Sequence, residues 1–127
     1  MASFEPRVHV RVGAVGLELP AAVAPREGTP TDSASAVFEG AGLSVLVDQG
    51  PFAPSLDADV GRPGYREEPT EVGGRPARLV TFDEDGGSFT TALEIAPPDR
   101  ATVVVRADGS VPRQVPLDIV RSVQPLD

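Results

Sequence analysis

Few side chains in this 127-residue chain can do chemistry: it has no Cys, a single His and 11 basic residues, every one of them Arg. Thiolate nucleophiles, disulfides and His/Cys zinc clusters are therefore excluded, leaving carboxylates, arginines and His9. His9 stands between Arg7 and Arg11 in an alternating run, with no Ser or Asp placed by the sequence to complete a triad, so it reads as a surface histidine. Asp57-Ala-Asp59-Val-Gly61, with Glu68 11 positions after Asp57, has part of the spacing of a calcium loop. Gly61 stands where a third ligand is wanted, Arg62 takes the glycine position and Pro63 follows, so the run reads as a polar surface loop. Asp83, Glu84 and Asp85 are neighbours at a hairpin tip, where side chains diverge instead of converging on an ion. Gly73-Gly74 precedes Arg75 and Arg78 but has neither the helix start nor the Lys of a phosphate cradle, and reads as a tight turn entering a strand. Gly13-Ala-Val-Gly16 and Gly40-Ala-Gly42 lack the flanks of a dinucleotide fingerprint. No catalytic, cofactor-binding or metal-ligating residue is assigned, no cofactor is expected, and an enzyme is the less favoured class.

Recognition is the alternative to catalysis, and here the residue types are more informative. Phe52, Arg62, Tyr65 and Arg66 fall within a stretch, Gln49 to Thr70, that contains Pro51, Pro54, Gly61, Pro63, Gly64 and Pro69 and shows no periodic pattern. Aromatic residues and Arg anchor protein interfaces, and long patternless loops in compact domains tend to carry function. These four residues are the candidate partner-binding set, in a contact loop from Gln49 to Glu68, with Phe52 also able to fold back onto the core. Leu56 to Val60 has room for one helical turn.

Charge narrows the partner. With 19 acidic residues the chain carries a net charge of −8, divided equally between the halves on either side of Gly64. A uniformly acidic surface repels phosphate backbones, so nucleic acid is not expected, and a basic protein is the easier partner. No run approaches the length of a membrane span, and the first residues lack a basic segment followed by an apolar one, so a cytoplasmic location is expected. A homodimer is compatible with these features.

The elements that must position these residues follow from the pattern. Leu, Ile, Val and Phe make up 34 of the 127 residues, Val most of all, which favours sheet. Val8, Val10 and Val12 alternate with charged residues, and after Gly13-Ala14 the phase shifts to Val15, Leu17 and Leu19. A hairpin setting Val12 opposite Val15, Val10 opposite Leu17 and Val8 opposite Leu19 explains the shift, and a bulge in one long strand is the alternative. Pro20 to Ser35 reads as irregular chain. A second hairpin runs from Ala36 to Asp48 around Gly40-Ala41-Gly42. Strands are expected at Ala77 to Phe82, Phe89 to Ile95 and from Ala101 onward, with turns at Asp83 to Gly87 and Pro97 to Asp99. The chain closes in an amphipathic helix with Pro116 in its first turn, Leu117, Val120 and Val123 on one face, Asp118 early and Arg121 late. The expected fold is a single α+β domain over residues 1–127, a two-layer antiparallel sheet of about six or seven strands with the C-terminal helix packed on it.

Four segments resemble the Mog1/PsbP-like family of PsbP proteins, DcrB-type lipoproteins and small bacterial proteins. They are Val15-Gly-Leu-Glu-Leu-Pro20, Val72-Gly-Gly-Arg-Pro-Ala77, the pair Phe89 to Ala96 and Ala101 to Arg106, and Asp118-Ile-Val-Arg-Ser-Val123. The resemblance implies that family's two-layer fold and no shared catalytic constellation. Some bacterial members resemble adaptors or chaperones for type VI secretion effectors and show an Asp-Arg-Ser or Asp-Arg-Thr run after the opening Pro. Here that region reads Ala22-Val-Ala-Pro-Arg-Glu-Gly28. The functional expectation is thus a non-enzymatic protein-binding module, such as a secretion adaptor. The alternatives are an immunity-type protein neutralising a basic toxin, or a small-ligand carrier or enzyme using a carboxylate and Arg pocket.

Overall fold

The computed structural model describes residues 7–12, 15–25, 35–49, 61–95 and 101–125. It is an α+β arrangement dominated by antiparallel sheet. The strands are β1 (Arg7–Val12), β2 (Val15–Pro20), β3 (Ala24–Pro25), β4 (Ser35–Gly40), β5 (Leu43–Gln49), β6 (Arg66–Val72), β7 (Arg75–Asp83), β8 (Phe89–Ile95), β9 (Ala101–Ala107) and β10 (Gln124–Pro125), with one helix, α1 (Gln114–Arg121). Seven strands form a large sheet in the order β3-β4-β5-β9-β8-β7-β6, and three form a small one in the order β1-β2-β10.

Alternation along each strand separates the faces of the large sheet. Val47, Val103 and Leu93 lie opposite one another across β5, β9 and β8, as do Val45, Val105 and Thr91 one pleat away. All six side chains are buried, and the five aliphatic ones form one cluster with Val12, Val15, Leu17 and Leu19 of the hairpin and with Ile119 and Val120 of α1. The helix and the small sheet thus cover the same inner face. Gln49 ties the sheets together, its Nε2 donating to the Val12 carbonyl at 3.0 Å. Asp118 holds the helix to β1, accepting from Arg7 Nη2 at 3.2 Å and from Gln114 Nε2 at 2.7 Å.

The first hairpin has the expected register, Val12 opposite Val15, Val10 opposite Leu17 and Val8 opposite Leu19. Its setting differs from expectation. It pairs with β10 in a separate sheet instead of extending the large one, because β10 already satisfies β2 at Gly16 and Val15. Val8, expected in the core, is 47 % exposed, since β1 is the outer strand of the small sheet. The larger correction concerns residues 66–72, which form an edge strand paired along its whole length with β7 instead of continuing a loop. Arg66 to Glu71 are all exposed, so this strand has no apolar face to reveal it, and Pro69 is tolerated there because an edge strand has a side that needs no donor. In α1 the buried residues are Pro116, Ile119 and Val120, and Asp118 lies mid-helix, so the first turn carries no acid. The expectations for Phe52, Asp57, Asp59, the turn at 56–60, the turn at 97–99 and the chain at 26–34 fall outside the described residues.

Two turns govern how β9 hands the chain to α1. Ala41-Gly42 joins β4 to β5 with φ of 53° and 79° at the two residues. That pairing matches a hairpin turn that favours Asn-Gly. A Cβ on Gly42 would meet Asp108 Oδ2 at 2.6 Å, and the Asp108 N–H donates to the Gly42 carbonyl at 3.0 Å. The Ser110 hydroxyl and N–H both donate to the Asp108 carboxylate, and the Val111 N–H also faces it. These bonds, led by the hydroxyl, hold the Asp108 carboxyl below its ordinary value of 3.8.

Ala41 takes a left-handed conformation that Asn accepts more readily, so Ala41→Asn should stabilise the protein by about 1 kcal/mol, read as a higher urea midpoint. Asp108 supplies a pH test. Its folded pKa lies below the unfolded one, so its stabilisation is complete above 3.8 and is lost as pH falls through the lower folded value. The urea-midpoint gap between wild type and Asp108→Ala should therefore be constant from neutrality down to the ordinary carboxylate range and shrink below it.

Candidate functional site

Of the candidate interface residues, Arg62 lies within the Gly61 to Gly64 turn, and Tyr65 and Arg66 follow it. The Asp83 N–H donates to the Pro63 carbonyl at 2.8 Å and the Tyr65 N–H to the Arg62 carbonyl at 3.2 Å, which docks this turn on the end of β7. Tyr65 then lies on the outer face of the large sheet, against Val80, Phe82 and Ala92, with Val104 alongside. The Arg62 guanidinium carbon is 5.5 Å from the centroid of the Phe82 ring, within cation–π range. Tyr65 and Arg62 therefore converge on one apolar cluster of the outer face, Arg62 over its aromatic ring.

A charged network extends from them along the same face. The Tyr65 hydroxyl donates to Glu67 Oε1 at 2.6 Å, and the same oxygen accepts from Arg78 Nη1 at 3.1 Å. Arg78 Nη2 donates to Glu94 Oε1 at 2.6 Å, with the two side chains 22 % and 16 % exposed. These residues are brought together by register, because Glu67 neighbours Val80 on β6 and β7 while Arg78 lies opposite Glu94 on β7 and β8.

Arg66, expected with this group, is not part of it. It lies opposite Thr81, whose partner Thr91 belongs to the inner face, so Arg66 points to the other side of the sheet. There it lines a groove between β6 and α1. One lobe, of about 410 Å³, is bounded by Arg66, Thr81, Asp83, Phe89, Thr91, Arg113 and Leu117. The adjoining lobe, of about 540 Å³, adds Glu67, Glu68, Leu79 and Arg121. Arg113 Nη2 donates to Asp83 Oδ1 at 3.1 Å, and its guanidinium carbon is 4.5 Å from the centroid of the Phe89 ring. Sequence reasoning missed Arg113 and Arg121. The available signal was the spacing of Arg113, Leu117 and Arg121, which repeats every four positions and makes one stripe along a helix.

The remaining sequence candidates are dispersed. His9 is exposed on β1 opposite Glu18. Gly73 and Gly74 form the β6 to β7 turn with φ of 57° and 82°, as the tight-turn reading expects. Glu68 lies on the exposed strand β6, and Phe52 falls outside the described residues. Among the described residues no three His, Cys, Asp or Glu side chains are grouped to hold a metal ion, and no helix is long and apolar enough to cross a membrane. No protein-family model matches the chain, and no curated protein matches it.

Arg78 is the hub of the outer-face network. Replacing it with Met removes the guanidinium that bonds the mostly buried Glu94, and should destabilise the protein by about 2 kcal/mol in equilibrium urea unfolding.

Proposed function

We propose that this chain is a non-catalytic, cytoplasmic binding module that acts through a protein partner, using the outer face of its large sheet around Arg62 and Tyr65. The observation that carries the reading is the convergence of an arginine and a tyrosine on the Val80, Phe82 and Ala92 cluster beside the edge of that sheet. Such pairs supply rigid contact area together with hydrogen-bond donors, the combination that dominates interface energetics. The net charge of −8 supports a basic partner over an acidic one. The order of an opening hairpin, an antiparallel sheet and a closing helix supports placing the chain with the Mog1/PsbP-like proteins. An adaptor for a secreted effector and an immunity protein that masks a basic toxin are the concrete forms of this reading.

Affinity purification from the native host with wild type and an Arg62→Ala/Tyr65→Ala variant tests it. A basic protein recovered in stoichiometric amount with wild type should fall at least about tenfold with the variant. Equal recovery by both would exclude this surface, and the absence of any stoichiometric partner would overturn the reading itself.

A further inference from the structure

We infer that the groove between α1 and β6 is a binding site for a carboxylate carried on an apolar body. It lies on the face of the sheet opposite Arg62 and Tyr65, and so stands independently of the protein-binding reading. The chain has 19 acidic residues for 11 arginines, so an arginine without a carboxylate neighbour runs against its composition. Arg7, Arg78, Arg106 and Arg113 each meet a carboxylate within 4 Å. Arg66 and Arg121 have no ion pair among the described residues, and both line the same groove.

The charge balance of the walls selects the ligand. The Glu67 carboxylate is engaged on the far face by Tyr65 and Arg78. Arg66, Arg113 and Arg121 are then opposed by Asp83 and Glu68, which leaves one unit of unmatched positive charge. A monoanion neutralises it, whereas a phosphate dianion exceeds it. A guanidinium offers parallel N–H donors in the geometry a carboxylate accepts. The floor, with Leu79, Leu117 and the Phe89 ring under Arg113, suits an apolar or aromatic body, and each lobe has the volume usual for small-ligand sites, roughly 300–1,000 Å³. A free aromatic acid and a peptide C-terminus ending in an aromatic residue present the same chemistry.

Amide chemical shifts of the labelled protein, titrated with 3-phenylpropionate, test the site. Saturable shifts are expected at Thr81, Leu117 and Arg121, and the neutral 3-phenylpropanol should not reproduce them. Arg66→Gln/Arg121→Gln replaces two exposed side chains, and with an unchanged melting temperature it should weaken binding about tenfold or more. Arg62→Ala/Tyr65→Ala should leave binding unchanged, which separates failure here from failure of the outer-face reading. A parallel titration with N-acetyl-Gly-Gly-Phe assigns the source: tighter binding than phenylpropionate indicates a chain terminus, and equal or weaker binding a free acid. No saturable shift with either acid, shifts matched by the alcohol, insensitivity to the Arg66/Arg121 variant, or tighter binding of inorganic phosphate would overturn the proposal.

Discussion

The register of β9 against its two neighbours is the constraint on which the other parts rest. With Val103 between Val47 and Leu93, and Val105 between Val45 and Thr91, the large sheet presents a buried, mainly aliphatic inner surface. A slip of one residue would turn Thr102, Val104 and Arg106 toward the helix and carry the valines outward. The seating of α1 depends on that surface, because Ile119 and Val120 bury against it together with Leu17 and Leu19 of the hairpin. The Asp108 turn, locked to Gly42 across the end of the sheet, sets where the chain leaves β9 to begin the helix.

The same alternation divides the functional residues. Arg66 and Glu67 are adjacent in sequence yet belong to opposite faces, one in the groove beside α1 and the other in the network with Tyr65 and Arg78. A cluster of interface-forming residue types in sequence is therefore not a cluster in space once it enters a strand. Within the large sheet the helix packs chiefly on β8 and β9, and the inner face of β6 and β7 forms the floor of the groove. That floor is concave because one layer ends before the other.

How legible each part was in the sequence follows from how much of its cause is local. Val8 to Leu19 carries its register in its own alternation, and Phe89 to Ile95 likewise. Residues 66–72 carry none, because an edge strand exposed on both faces has no buried side to impose a period; the Gly73-Gly74 turn ahead of β7 was the local trace of its pairing. The dipeptide strands β3 and β10 exist only through partners elsewhere in the chain. Arg62 and Tyr65 were legible by residue type, and the cluster around Phe82 that they meet was not, since the contact needs the 61–65 turn docked on β7. Arg66, Arg113 and Arg121 meet only after the sheet and helix are assembled. Their grouping is a property of topology, and no window of sequence contains it.

The junction of β2 with β10 has a consequence for how the chain assembles. Gly16 and Val15 pair with Gln124 and Pro125, and the Glu18 N–H donates at 2.8 Å to the Ser122 hydroxyl, 104 positions away. During synthesis the hairpin emerges long before those partners, by about 5 to 20 s at the usual rate of roughly 5–20 residues per second. Through that interval Val12, Val15, Leu17 and Leu19 lack their final cover, and a lone hairpin is at best marginally stable. The segment whose local order is plainest in sequence thus completes its pairing only once residues 122 to 125 have been made.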